Sequence, residues 1–100
     1  MSITVYFSPT NMTPEMYDEV LNRLEAGGVG APPGREHHLC FNVSGILGVV
    51  DVWSSREEFD AFGEILMPIL DEIGVESAEP HISETHNIIK QGQRSKAAGG

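Results

Sequence analysis

A carboxylate stands in the middle of an apolar run. Asp51 lies between Val50 and Val52 in GVVDVWSSREEF, two residues before the only tryptophan of the chain, Trp53. A buried, unpaired charge costs several kcal/mol or takes up a proton. Asp51 therefore faces water, has a partner, or does chemistry. The nearby Ser44-Gly45 dipeptide reads as a two-residue turn between two apolar runs, and that turn sets a register. Val43 then pairs with Ile46, and counting outward puts Phe41 opposite Gly48, Leu39 opposite Val50 and His37 opposite Val52. On the alternate face Asn42 pairs with Leu47, Cys40 with Val49, His38 with Asp51 and Glu36 with Trp53. A turn of three or five residues would shift the parity and undo the pairing. His38 and Asp51 so paired are the catalytic candidates. In a cleft the carboxylate orients the imidazole, which can then act as a general base. The plainer reading is a structural acid that holds His38 or a loop amide. Trp53, Tyr6, Cys40 and His86 are the candidates for a substrate-binding wall around the pair. Trp53 equally reads as core or interface filler, and Cys40 as a small buried hydrophobe.

Metal binding is not expected. His38 and Cys40 share one face of a strand near one sheet edge, whereas Glu84 and His86 share a face on the last strand. Those strands are opposite edges of the expected sheet, about 14 Å apart at roughly 4.8 Å per strand. His37 and His38 are adjacent and point to opposite faces.

The elements that position these residues follow from pattern. Ser2–Ser8 is β-branched and aromatic, hence a strand. Thr13, Pro14 and Glu15 form a helix start, and Met16, Val20, Leu21 and Leu24 recur at helical spacing until Gly27-Gly28. Residues 36–43 and the run ILGVVDVWS form a hairpin. Ser55 with Glu58 is a capping box. It opens a helix whose stripe is Phe59, Phe62, Leu66, Ile69, Leu70 and Ile73, with Pro68 expected to bend it and Gly74 ending it. Residues 81–90 read as a last strand. The order β-α-β-β-α-β is ferredoxin-like: an α+β fold with a four-stranded antiparallel sheet, strand order 4-1-3-2, and both helices on one face. One domain is expected over residues 1–90, with a flexible C-terminal tail over 91–100.

Composition excludes some partners. The 100 residues carry 15 Asp plus Glu against 6 Lys plus Arg, a formal charge of -9. No basic patch is available for nucleic acid or an anionic membrane surface. A single cysteine cannot form an internal disulfide and fits a reducing compartment. The N-terminus has no signal-peptide pattern and no run approaches the length of a spanning helix. A soluble, cytoplasmic protein is expected.

With these residues in view, the chain resembles the dimeric α+β barrel group, and within it the antibiotic biosynthesis monooxygenase-like proteins. The resemblance covers about Ile3 to Lys90. It rests on length, element order and VVDVWSSREEFDAF, which is similar to the family's strand ending in an acid, any residue and tryptophan before an acidic helix start. The resemblance implies a homodimer with the two sheets packed face to face, and a modest cavity beside each sheet. Family members include cofactor-free oxygenases of electron-rich polycyclic phenols, haem-degrading enzymes and lactone isomerases. The second helix lacks the histidine that holds haem iron. It also lacks the histidine that many members carry early in that helix, where Phe62 stands instead. Asp51 and Trp53 match the motif; the rest of the family's oxygenase constellation does not transfer.

The resulting expectation is a small-molecule enzyme with a flat, mostly apolar substrate and no cofactor. Its chemistry is monooxygenase-like or acid/base, as in an isomerase or cyclase. The alternative is a non-catalytic homodimeric ligand-binding or accessory protein in which Asp51 is structural.

Overall fold

The computed structural model describes residues 2–76 and 78–90. The expected tail, 91–100, lies outside the described residues. Six elements follow in the order β1 (Ile3–Phe7), α1 (Pro14–Ala26), β2 (Arg35–Val43), β3 (Ile46–Trp53), α2 (Arg56–Ile73) and β4 (His81–Glu84). The sheet order is β2-β3-β1-β4, and all three pairings are antiparallel. This is the ferredoxin-like arrangement.

Local chemistry sets the helix ends. The Thr13 hydroxyl accepts from the Met16 amide at 3.2 Å, with Pro14 opening the helix, so one orphan donor of the first turn is satisfied. At α2 the Ser55 hydroxyl accepts from the Glu58 amide at 3.2 Å and donates to the Glu58 carboxylate at 3.0 Å. The helix runs on through Pro68 and stops at Gly74, whose φ of 95° is left-handed. That conformation favours a residue without Cβ.

The hairpin register agrees with the turn chemistry. Ser44 and Gly45 both have positive φ, 53° and 93°, as a type I′ turn requires. The Asn42 side chain braces the turn by accepting from the Gly45 amide at 2.7 Å. From Val43–Ile46 to His37–Val52 the pairs are those counted from the sequence.

Two expectations fail at strand ends. Arg35, not Glu36, stands opposite Trp53, because the ladder is irregular between Arg35 and His37. A bulge places two residues against one and re-aims the side chain beyond it. Here it turns Arg35 to the face that Trp53 occupies. The last strand ends at Glu84 rather than Lys90. Its partner β1 begins at Ile3, opposite Glu84, and the final backbone bond is Thr85 N–H to the Ser2 carbonyl. Among the described residues, no backbone pairing continues beyond that point.

The two sheet faces differ. Val5, Leu47 and Trp53 pack with Val20, Leu24, Phe62 and Leu70 of the helices into one buried cluster. Strand alternation places Tyr6, Leu39, Phe41, Val43, Ile46, Val50 and Val52 on the other face, which no helix among the described residues covers. Leu39 and Val43 there are 59% and 63% exposed. On that face Phe41 stacks on Tyr6, with planes 9° apart and centroids 6.0 Å apart. The ring lies over Gly48, where a Cβ would meet it at 2.5 Å.

Candidate active site

Among the described residues, Asp51 is the buried charged one, at 9% exposure. It projects from β3 toward the helices. Its Oδ1 lies 2.5 Å from Nδ1 of His38, directly across the hairpin. The two side chains are 12% and 25% exposed. The pairing therefore rests on the register set by the Ser44-Gly45 turn, and the carboxylate has the partner that its burial demands.

A third group completes the arrangement. The hydroxyl of Tyr17, in the first turns of α1, lies 2.6 Å from Nε2 of His38. The phenol and imidazole planes are 2° apart with centroids 6.0 Å apart. At that separation, with the O–N bond formed, the rings meet end to end rather than face to face. Asp51, His38 and Tyr17 thus form a continuous hydrogen-bonded chain from β3 through β2 to α1. Burial, reinforced by the neighbouring Cys40 thiol, pushes the Tyr17 phenol up to about 12. Burial likewise raises the Cys40 thiol, which argues against a reactive thiolate.

The space between sheet and helices holds two adjoining cavities. The larger, about 260 Å³, lies against α2 and is apolar, with Asp51 and Glu79 the acids in its wall. The smaller, about 50 Å³, lies against α1 and contains Tyr17, His38 and Arg35. Phe7, Val49, Phe62, Leu66 and Leu70 are walls of both. The Arg35 guanidinium sits 5.8 Å from the centre of the Phe62 ring and donates to the Gly30 carbonyl at 3.2 Å. Among the described residues it has no carboxylate within salt-bridge distance.

The structure separates the other candidates. Cys40 is half-buried two residues from His38 on the same strand face. Trp53 is fully buried, 0% exposed. It packs against Phe59 and Phe62 at 5.8 and 5.3 Å between centroids. Those two phenylalanines line the larger cavity, and Trp53 does not. Its Nε1 is buried with no hydrogen-bond partner among the described residues. Tyr6 stands on the helix-free face, opposite Val50 and beside His81, so it does not share a cavity with Asp51. His86 is exposed beyond the end of β4, at the sheet edge opposite β2. Among the described residues, no three His, Cys, Asp or Glu side chains gather as metal ligands.

Sequence reasoning missed Tyr17 and Arg35. Tyr17 was legible in part: with Val20 and Leu24 it follows the i, i+3, i+7 spacing of a buried helix face. Arg35 was not legible, because its side chain is turned inward by the bulge.

Neither a protein-family model nor a curated protein sequence matches the chain. Solved structures do. SnoaB of Streptomyces nogalater, a cofactor-independent oxygenase, superposes with a TM-score of 0.57 at 14% identity, over 84% of this chain and 90% of SnoaB. A conserved protein of Methanosarcina mazei Go1 superposes with a TM-score of 0.53 at 17% identity, over 83% of this chain and 89% of that one. The likeness is one of fold. It agrees with the ferredoxin-like α+β arrangement that the element order implies. No helix among the described residues is long and apolar enough to cross a membrane.

Proposed function

We propose that the protein is a small-molecule enzyme that removes a proton from a flat, mostly apolar substrate held between the sheet and α2. The observation that carries this reading is the Asp51–His38 pair, bonded at 2.5 Å with its carboxylate in the wall of an otherwise apolar cavity of about 260 Å³. An ionised carboxylate there orients the imidazole and offsets the positive charge that it gains as a base. Low polarity around the pair strengthens both effects. The carbanion left on a polycyclic phenol or its keto form is electron-rich enough to reduce dioxygen directly. A methylene then becomes a carbonyl and dioxygen ends as carbonyl oxygen and water, with no cofactor. Return of the proton to another carbon would instead give an isomerase or cyclase. The fold shared with a cofactor-independent oxygenase supports the first course.

The same reading includes a homodimer. Leu39, Val43, Tyr6 and Ile46 leave a continuous apolar face on the single chain, and exposed patches of that kind are covered in stable proteins. A twofold copy would cover it face to face.

Anthrone, a flat tricyclic ketone with an acidic methylene, tests the chemistry. Under nitrogen in heavy water, the enzyme should speed deuterium entry at that methylene. In air it should consume dioxygen. Asp51→Asn should lose both. Anthrone that binds yet exchanges no faster than in buffer would leave a binding protein and refute the enzyme.

A further inference from the structure

We infer that Tyr17 is the residue that meets the substrate and takes its proton, with His38 as the receiver behind it and Asp51 as the anchor. The inference rests on the acid/base reading above and changes which atom does the chemistry. The reason lies in the imidazole. Both of its nitrogens are engaged, Nδ1 by Asp51 at 2.5 Å and Nε2 by Tyr17 at 2.6 Å. No ring nitrogen is left for a substrate unless one of those bonds breaks.

Proton positions follow from the partners. An ionised carboxylate only accepts, so the Nδ1 that faces Asp51 carries hydrogen. In the neutral ring Nε2 is then an acceptor, and the Tyr17 hydroxyl is its donor. Both bonds are satisfied with no extra proton. The end-to-end geometry, with ring planes 2° apart, aims the O–H along the in-plane lone pair of Nε2. The remaining lone pairs of the Tyr17 oxygen are the free acceptor of the chain. Tyr17 and Arg35 line the smaller cavity, about 50 Å³, so the body of the substrate stays in the adjoining larger cavity and only its acidic C–H edge reaches Tyr17.

The step balances as a double transfer. The substrate C–H bond breaks and its proton forms a new O–H bond on Tyr17. At the same time the original Tyr17 proton moves to Nε2. The electron pair of the C–H bond stays on the substrate as an enolate. The imidazolium that forms lies against the Asp51 carboxylate, as in serine-type triads. The enolate oxygen has a cation available in the same cavity, because the Arg35 guanidinium has no carboxylate partner among the described residues. Burial explains why the transfer must be coupled. A phenol pushed up to about 12 holds almost no free phenolate at neutral pH, so Tyr17 acts as a base only while it passes its own proton on.

Two measurements on the full chain test the assignment. The first is nitrogen-15 NMR of the imidazoles, which reports the tautomer without any substrate. His38 should be the Nδ1–H form, with Nε2 bare and hydrogen-bonded. The Nε2–H form would make Tyr17 an acceptor and overturn the inference, whether or not any variant folds. The second is deuterium exchange into anthrone by the native protein, Tyr17→Phe and Tyr6→Phe. Tyr17→Phe should slow exchange 100-fold or more with unchanged anthrone binding, and Tyr6→Phe should match the native rate. Native-like exchange in Tyr17→Phe would refute the role of Tyr17 and leave the acid/base reading standing. If the native protein itself exchanges no deuterium, the acid/base reading fails and takes this assignment with it.

Discussion

Leucine at position 38 would strand the Asp51 carboxylate. The side chains of the pair are 12% and 25% exposed, so water can replace only part of what His38 provides. Breaking a fully buried pair costs about 3–5 kcal/mol. Leaving an ordinary buried polar group unpaired costs about 1–3 kcal/mol. Partial exposure puts His38→Leu between these ranges, at about 2–3 kcal/mol. Asp51→Leu leaves a neutral imidazole still bonded to Tyr17, a loss of about 1 kcal/mol. Replacing both removes carboxylate and imidazole together, so Asp51→Leu/His38→Leu should lie close to the native protein. Any gain from burying leucine appears in singles and double alike and cancels from the cycle. The coupling should therefore be about 3–4 kcal/mol, against a total of roughly 5–15 kcal/mol for a domain. In a thermal melt the His38→Leu deficit amounts to about 10 °C or more. Urea unfolding at pH 7 and fixed protein concentration reads it directly, with Trp53 as the probe. The single tryptophan is fully buried against Phe59 and Phe62, and its emission should shift on exposure. Additivity of the two single variants within about 0.5 kcal/mol would show that the pair is not energetically coupled, and the argument from burial would fall.

The other expectations are shorter. Leu39→Glu/Val43→Glu should convert a 21.8 kDa dimer, twice the 10.9 kDa chain, into a monomer by light scattering; a native protein that is already monomeric at micromolar concentration refutes the dimer. Trp53→Ala should cost about 3–5 kcal/mol. Trp53→Phe should cost far less, because loss of the unpartnered Nε1–H returns about 1–3 kcal/mol; loss of anthrone binding in the Phe variant alone would put Trp53 in the ligand site. Burial raises the Tyr17 phenol from 10.0 to about 12, so its protonated form is favoured by folding. That contribution is whole below pH 10 and is lost as pH climbs to 12. The Cys40 thiol, also raised by burial, acts in the same direction. Urea midpoints of the native protein should fall across that window, and those of Tyr17→Phe should fall less; identical slopes would show that the phenol is not shielded.

Much of this protein is decided by short-range chemistry, and that part can be read from the chain alone. The six elements, the caps at Thr13 and Ser55 and the stop at Gly74 depend on residues within a turn of one another. The His38–Asp51 pairing lies 13 positions apart, yet it too is local in effect. One two-residue turn sets the parity of every pair in the hairpin, and side-chain alternation does the rest. Tertiary structure decided what alternation cannot. It laid α1 across β2 so that Tyr17 reached Nε2 of His38. It closed Phe59 and Phe62 over Trp53 and so removed that ring from the cavity wall. It assigned Tyr6 to the helix-free face by pairing β1 between β3 and β4. It turned Arg35 inward through one extra residue in β2. Each of these depends on how a helix is rotated over a sheet, or on where a ladder slips by one residue. Packing of the whole core sets those quantities, and no short window of sequence contains them.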